Sequence, residues 1–200
     1  MPAIYKPMGL GDLVFPTSFA ERSCKAFVAG RLNWLLLYGP PGSGKTAAAH
    51  TLMRCRIPDL TDFDVLEHNA SASNSIESLE RVFDGLKVYG WGSSGQKVLI
   101  LDEVDQLSPK AASALKGMLD WFEGKNTPII MTTNHVAKLD AAVRDRFIEI
   151  NWPNLNTLAM TQWIKDQCVK AGHTLTQAEL NQILRQASSF RKAEQALLML

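Results

Sequence analysis

Gly39-Pro40-Pro41-Gly42-Ser43-Gly44-Lys45-Thr46 is the stretch that decides the fold of this chain. Its spacing, a glycine, four residues and then Gly-Lys-Thr, is that of a phosphate-binding loop. Glycines let successive backbone N–H groups turn inward around a phosphate, and a helix that follows adds its positive end. Lys45 is placed to reach the β and γ phosphates, and the Thr46 hydroxyl to ligate Mg2+. The flanks supply the context this reading needs. Trp34–Tyr38 ahead of the loop predicts a buried strand, and Lys45 to about Met53 behind it predicts a helix.

Outward from the loop, apolar runs alternate with amphipathic stripes. Val98–Leu101 predicts a buried strand that runs straight into Asp102-Glu103. Two carboxylates then emerge at the edge where open parallel sheets bind ligands. Asp102 suits the Mg2+ shell, and Glu103 suits polarising an attacking water. Asp64–His68, Pro128–Thr133 and Phe147–Ile150 read as three further strands. Ile76–Val88 reads as a helix, and another starts behind Ser108-Pro109, with Gly124 as its stop. The expected architecture is α/β, with a five-stranded, mostly parallel sheet. After Trp152-Pro153-Asn154 only helix signals remain: Thr157–Ala171, a capping box from Thr176 and Glu179 ahead of a helix to about Ala187, and a third helix from Ser188 or Ser189. These place a boundary near Pro153, between a nucleotide-binding core at 1–153 and a small helical domain at 154–200.

The composition sets bounds on the class. Of 200 residues, 46% are hydrophobic and 20% charged, the make-up of a globular chain rather than a disordered one. Lys plus Arg is 21 and Asp plus Glu is 20, so no overall basic bias marks a nucleic-acid binder, although a local patch remains open. No uninterrupted apolar stretch exceeds the five residues of Trp34–Tyr38, against the roughly 20 that a spanning helix needs, so no membrane partner is expected. The first residues, with Lys6, Asp12 and two prolines before any apolar run, do not read as a signal peptide. Cys24, Cys55 and Cys168 are odd in number and far apart, which suggests unpaired thiols in a reducing compartment, cytoplasmic or nuclear. The four histidines lack metal-ligand spacing, and the five tryptophans read as core.

The loop, the acidic pair and a strand ending Thr132-Thr133-Asn134 together resemble the AAA+ ATPases. That resemblance implies a P-loop AAA+ core followed by a helical lid, with ATP and Mg2+ bound. Asn134 looks like the sensor 1 residue, which would hydrogen-bond the γ-phosphate or the lytic water. In Ala141-Ala142-Val143-Arg144-Asp145-Arg146-Phe147, Arg146 looks like the arginine finger, with Arg144 as the reserve; it would act on a neighbouring subunit's nucleotide. Arg191, in Ser189-Phe190-Arg191-Lys192-Ala193, looks like sensor 2. The catalytic set is then Lys45, Glu103, Asn134, Arg146 and Arg191.

Three more stretches are similar to the clamp-loader branch of that family, and to replication factor C small subunits in particular. The opening Tyr5-Lys6-Pro7 through Asp12-Leu13-Val14 resembles the segment that packs on the adenine, which adds Tyr5 and Val14 to the nucleotide-binding set. Glu67-His68-Asn69-Ala70-Ser71 resembles the second-strand Glu-x-Asn-Ala-Ser. Asp102-Glu103-Val104-Asp105 stands where the branch has Asp-Glu-Ala-Asp. The implied partners are other AAA+ subunits in a ring, a sliding clamp and primer–template DNA. DNA phosphates would meet Ser71–Ser75 and Ser108–Lys110, with Arg81 and Lys87 able to add charge. Asn69 is a candidate to hold Glu103 inactive until DNA binds. The chain departs from the branch at Asp145-Arg146-Phe147, where clamp loaders carry Ser-Arg-Cys. No stretch of these 200 residues resembles the collar domain of that branch, which is what a truncated chain or a reduced, viral or divergent relative is expected to show. Alternative readings are another AAA+ remodeller, such as a branch-migration or helicase-loading ATPase, and a subunit that holds ATP structurally.

Overall fold

The computed structural model describes residues 7–199. Helix α1 (Ser18–Val28) leads into β1 (Trp34–Tyr38), followed by α2 (Lys45–Arg56), β2 (Val65–Asn69), α3 (Ile76–Leu86) and β3 (Val98–Asp102). Next come α4 (Pro109–Asp120), β4 (Ile129–Thr133), the single turn α5 (Ala141–Arg144) and β5 (Ile148–Asn151). Three helices close the chain: α6 (Thr157–Lys170), α7 (Gln177–Gln186) and α8 (Phe190–Leu197).

The five strands form one sheet in the order β2-β3-β4-β1-β5, and every pairing is parallel. The apolar runs explain why. A strand that is apolar at successive positions must bury both faces, as parallel sheets do. In β3, Leu99 and Leu101 face one layer with Phe83, Leu115, Leu119 and Phe122, while Val98 and Ile100 face the other with Phe27, Ala48 and Leu52. Helices α3 and α4 therefore cover one side of the sheet, and α1 and α2 the other. Each fully buried Leu or Ile contributes roughly 1.5–3 kcal/mol relative to leaving it in water.

Several helix ends are fixed by the caps the sequence supplies. Ser75, Ser108, Thr176 and Ser189 each accept a backbone N–H of the first turn, and Thr176 with Glu179 completes a reciprocal box. The predicted α3 is two residues too long. Helix α4 ends at Asp120 rather than running to Gly124, although Phe122 still packs in the core. The α-helices α1 and α5 escape the sequence reading. The expectation of five core tryptophans is also corrected: Trp34, Trp152 and Trp163 are buried, but Trp91 is 80% and Trp121 50% exposed. Trp91 sits on a loop tied down by Asp64, which accepts its N–H, and Trp121 lies just past the end of α4 under the Lys125 ammonium. The three C-terminal helices share a cluster of their own, built on Trp163, Ile164, Leu180 and Ile183, which Val14 joins from the opposite end of the chain. Among the described residues no helix is long and apolar enough to cross a membrane.

Candidate functional site

The carboxyl ends of β1, β3 and β4 lie side by side, and the three motifs leave the sheet from them. A cavity of about 430 Å3 opens above this edge, bounded by the loop at 41–47, by Asp102, Glu103 and Asn134, by the chain at 12–14, and by α6 and α8. That volume is within the range of small-molecule and cofactor sites, about 300–1,000 Å3.

The loop is shaped by its glycines. Gly42 and Gly44 have φ of +76° and +89°, a region that other residues rarely adopt, and a side chain on Gly42 would meet the Ser189 hydroxyl at 2.9 Å. Gly44 caps α2, so the N-terminus of that helix faces the loop. Ser43 lines the cavity, and its hydroxyl is buried without a partner among the described residues. A buried orphan donor on a loop of inward-turned backbone fits a phosphate. Lys45 is 6% exposed; its ammonium donates to the carbonyls of Gly39 and Pro40 at 2.8 and 2.9 Å and to Asn134 Oδ1 at 2.9 Å. Gly39 and Pro40 thus sit behind the lysine and do not themselves line the cavity. Burial pushes the Lys45 pKa down, opposed by Asp102, Asp105 and Glu103.

Asp102 is the hub of the acidic side. The Thr46 hydroxyl donates to it at 3.0 Å, Thr132 donates from β4, and Asn69 Nδ2 approaches at 3.3 Å. Thr132 also accepts the Glu103 N–H at 3.2 Å, fixing the point where β3 ends. There Glu103 turns into the left-handed region, φ 54°, the only non-glycine among the described residues to do so. Such strain persists where neighbours over-determine it, and it gathers at functional sites.

That turn corrects the expectation for Asn69. Parallel pairing sets Asn69 opposite Asp102, so its amide meets Asp102 and not Glu103. Glu103, swung out of the strand, is held instead by the Ser71 hydroxyl. Sequence reasoning also passed over Asp105. Its carboxylate accepts the Thr133 hydroxyl at 2.7 Å and the Asn134 N–H at 3.0 Å, which aims Asn134 at Lys45. Burial raises the Asp105 pKa, but these hydrogen bonds outweigh it and hold the group below the usual carboxylate range.

Val14 and Arg191 both line the cavity, and a Cβ on Gly42 would stand 3.5 Å from that of Arg191. Tyr5 lies outside the described residues. Arg144 and Arg146 are not brought to this cavity. Arg144 forms a bidentate pair with Glu149 at 2.9 and 3.0 Å. Arg146 bonds Asp120 and the Ala142 carbonyl, and its side chain is 18% exposed. The two helix starts expected to meet DNA are adjacent, because the Ser108 N–H donates to the Asn74 carbonyl at 3.1 Å. Arg81 and Lys87 are exposed, and Lys87 is paired with Asp84.

The chain is similar over most of its length to replication factor C subunit 4 of Caenorhabditis elegans, 29% identical over 187 residues, covering 90% of this chain and 56% of the relative. It is 27% identical over 192 residues to replication factor C small subunit 2 of Pyrobaculum aerophilum, covering 90% and 60%. It spans little more than half the length of these curated relatives. In fold it matches the RuvB Holliday junction branch migration motor of Thermotoga maritima, with TM-score 0.73, 18% identity, and 98% and 64% coverage. Domain III of the replication initiation protein DnaA from the same organism matches with TM-score 0.74, 15% identity, and 99% and 87% coverage. Residues 35–154, which carry the loop, the acidic pair, Arg144 and Arg146, match the family model itself. The chain belongs to the AAA family, the ATPases associated with various cellular activities.

Proposed function

We propose that the chain binds and hydrolyses ATP as one subunit of an AAA+ ring that loads a sliding clamp onto primer–template DNA. One observation carries the ATPase reading: Lys45, Asn134, the Thr46–Asp102 pair and Glu103 converge on a single cavity from three strand ends. The similarity to replication factor C subunits supports the clamp-loading role.

In this reading Lys45 exchanges its loop carbonyls for the β and γ phosphates, while the inward N–H groups of 41–46 cradle the phosphates. Thr46 and Asp102 would hold Mg2+, which when bound neutralises charge on the phosphate oxygens. Asn134, oriented through Asp105, positions the γ-phosphate or the lytic water. Glu103 accepts that water's proton as its oxygen bonds to the γ phosphorus and ADP departs. For this the carboxylate must leave Ser71. Arg191 enters the cavity from α8, so the angle of the helical part would follow the nucleotide state. Arg146 would serve a neighbour's site and Arg144 remains the reserve. The division at Pro153 into core and lid belongs to the same proposal, supported by the separate apolar cluster of α6–α8. The paired helix starts at Ser71–Ser75 and Ser108–Lys110 offer hydroxyls, N–H groups and Lys110 to DNA phosphates. Work on DNA would set the compartment as cytoplasm or nucleus.

The test is the ATPase rate of the full chain, assembled with its partner subunits, with and without primed DNA and its clamp. Stimulation that needs both supports clamp loading. Stimulation by branched DNA alone points to a branch-migration motor. Binding with no turnover in any arm leaves a subunit that holds ATP structurally.

A further inference from the structure

The phosphate end of the cavity is furnished by motif residues; its other end is furnished by the inner face of α6. Trp163, Gln167 and Lys170 follow one another at helical spacing and all line the cavity. Their distance from the loop follows from packing. Phe190 lies 3.5 Å from where a side chain on Gly44 would stand, and Trp163 meets the Phe190 ring edge-on with centroids 5.0 Å apart. Gln167 stands one turn beyond Trp163 on the same face of α6.

Gln167 is 6% exposed and lines the cavity, and no side chain or backbone group among the described residues hydrogen-bonds its amide, which therefore opens on the cavity. Lys170, one turn on, is engaged with Asp12 at 2.6 Å. An amide that faces the cavity without a protein partner offers a ligand one donor and one acceptor. Val14 lines the same cavity and gives it an apolar surface that suits an aromatic ring.

We infer that Gln167 reads the nucleobase and selects adenine over guanine. The inference rests on the nucleotide reading of the cavity and adds the residue that chooses the base. A carboxamide places an acceptor beside a donor. Adenine offers the complement on one edge, the N6 amino donor beside the N7 acceptor, whereas guanine offers two acceptors there, O6 and N7. One amide can satisfy both positions of adenine and only one of guanine. A bidentate match of this kind discriminates by about 5- to 150-fold. Gln167 takes no part in bond making; it sets which triphosphate is held.

The experiment is calorimetric titration of the full chain with ATP and, separately, GTP, for wild type, Gln167→Leu, Gln167→Glu and Lys45→Ala. Wild type is expected to prefer ATP by at least tenfold. Gln167→Leu, close in volume and apolar, should weaken ATP about tenfold and bring the ATP-to-GTP ratio to within about threefold. Gln167→Glu, which sets a second acceptor against N7, should lower ATP affinity while the thermal transition stays within a few degrees of wild type. In steady-state kinetics the Leu variant should raise KM for ATP and leave kcat within twofold, a split that loosened packing would not produce. An unchanged ATP-to-GTP ratio in both Gln167 variants, with Lys45→Ala abolishing binding, overturns the role of Gln167 and leaves the nucleotide site standing. Wild type binding neither nucleotide overturns the site and this inference together.

Discussion

The Glu103 carboxylate is hydrogen-bonded to the Ser71 hydroxyl, across 32 residues of sequence and one step beyond the end of the β2–β3 pairing. Glu103 is thus held away from the free state a general base needs, by a residue on an exposed turn next to the start of α3. Replacing Ser71 by Ala removes the only hydrogen bond to that carboxylate among the described residues. A hydrogen bond to a charged group is worth about 1.5–3 kcal/mol. Basal ATP turnover of Ser71→Ala in the absence of DNA should rise roughly tenfold, and stimulation by primed DNA should shrink correspondingly. Asn69→Ala, which disturbs Asp102 instead, should lower turnover. A Ser71→Ala protein with wild-type basal rate and wild-type stimulation would show that the contact restrains nothing.

Glu103→Gln tests the base itself. The amide keeps the size of the side chain and can still bond Ser71, and the strained turn is unchanged because it is set by Thr132 and the strand end. Only the capacity to accept a proton is lost. ATP affinity should stay within about threefold, while single-turnover hydrolysis should fall by about 10²–10⁴. Chromatography of the quenched complex reads the outcome directly as retained ATP against ADP. Hydrolysis at the wild-type rate would move the base to another group.

Arg146 begins in a different place from where its proposed role would need it. It is clamped to Asp120 at the end of α4 and to the Ala142 carbonyl, and it does not line its own chain's cavity. Acting on a neighbour requires exchanging Asp120 for phosphate oxygens. Arg146→Ala should leave ATP affinity of the isolated chain within twofold and lower turnover of the assembled ring by about 10³. Mixing it with an excess of Glu103→Gln chains should restore activity only where an intact arginine faces an intact site. Arg144→Ala should behave differently. It breaks a solvent-accessible bidentate pair with Glu149, changes stability little, and leaves ring turnover unchanged. The reverse result, loss with Arg144 and not Arg146, would exchange their roles.

These contrasts also mark what the sequence makes legible. Strands β1, β3 and β4 announce themselves because runs such as Val98–Leu101 are apolar at every position, which only a doubly covered sheet can use. The loop and the acidic pair are local in sequence, so their meeting follows once the strands are parallel. Helix α1 is amphipathic, but its inner stripe of Ala20, Ser23, Cys24 and Phe27 is mostly small and carries a single large apolar residue, so it does not stand out as a core-facing helix. The contact of Ser71 with Glu103, the hold of Asp105 on Asn134 and the place of Gln167 stay hidden for another reason. Each side chain looks like an ordinary polar one until strand register, a left-handed turn or helix packing gives it a neighbour or denies it one. Trp91 and Trp121 show the converse: residue type alone put them in a core that they do not enter.

The pair formed by Asp12 and Lys170 supplies the pH dependence. At 2.6 Å it joins the chain ahead of α1 to the end of α6 at the rim of the cavity, and Asp12 also accepts the N–H groups of Met8 and Gly9. The Lys170 hydrogen bond, followed by the Met8 N–H, holds the Asp12 pKa below its ordinary value of 3.8. A carboxylate depressed in the folded state adds stability that is complete above its unfolded pKa and disappears as pH falls through the folded one. The contribution is therefore present at neutral pH and is lost in acid, from about pH 4 downward. Both groups are partly solvated, so it amounts to no more than about 1 kcal/mol and weakens as salt is added. Lys170→Met should keep the stem packed and remove the charge. Its thermal midpoint should fall by a few degrees at pH 7 and low salt and converge with wild type below about pH 3.5. If the deficit persists unchanged in acid, the loss belongs to packing of the α6 face and not to the ion pair.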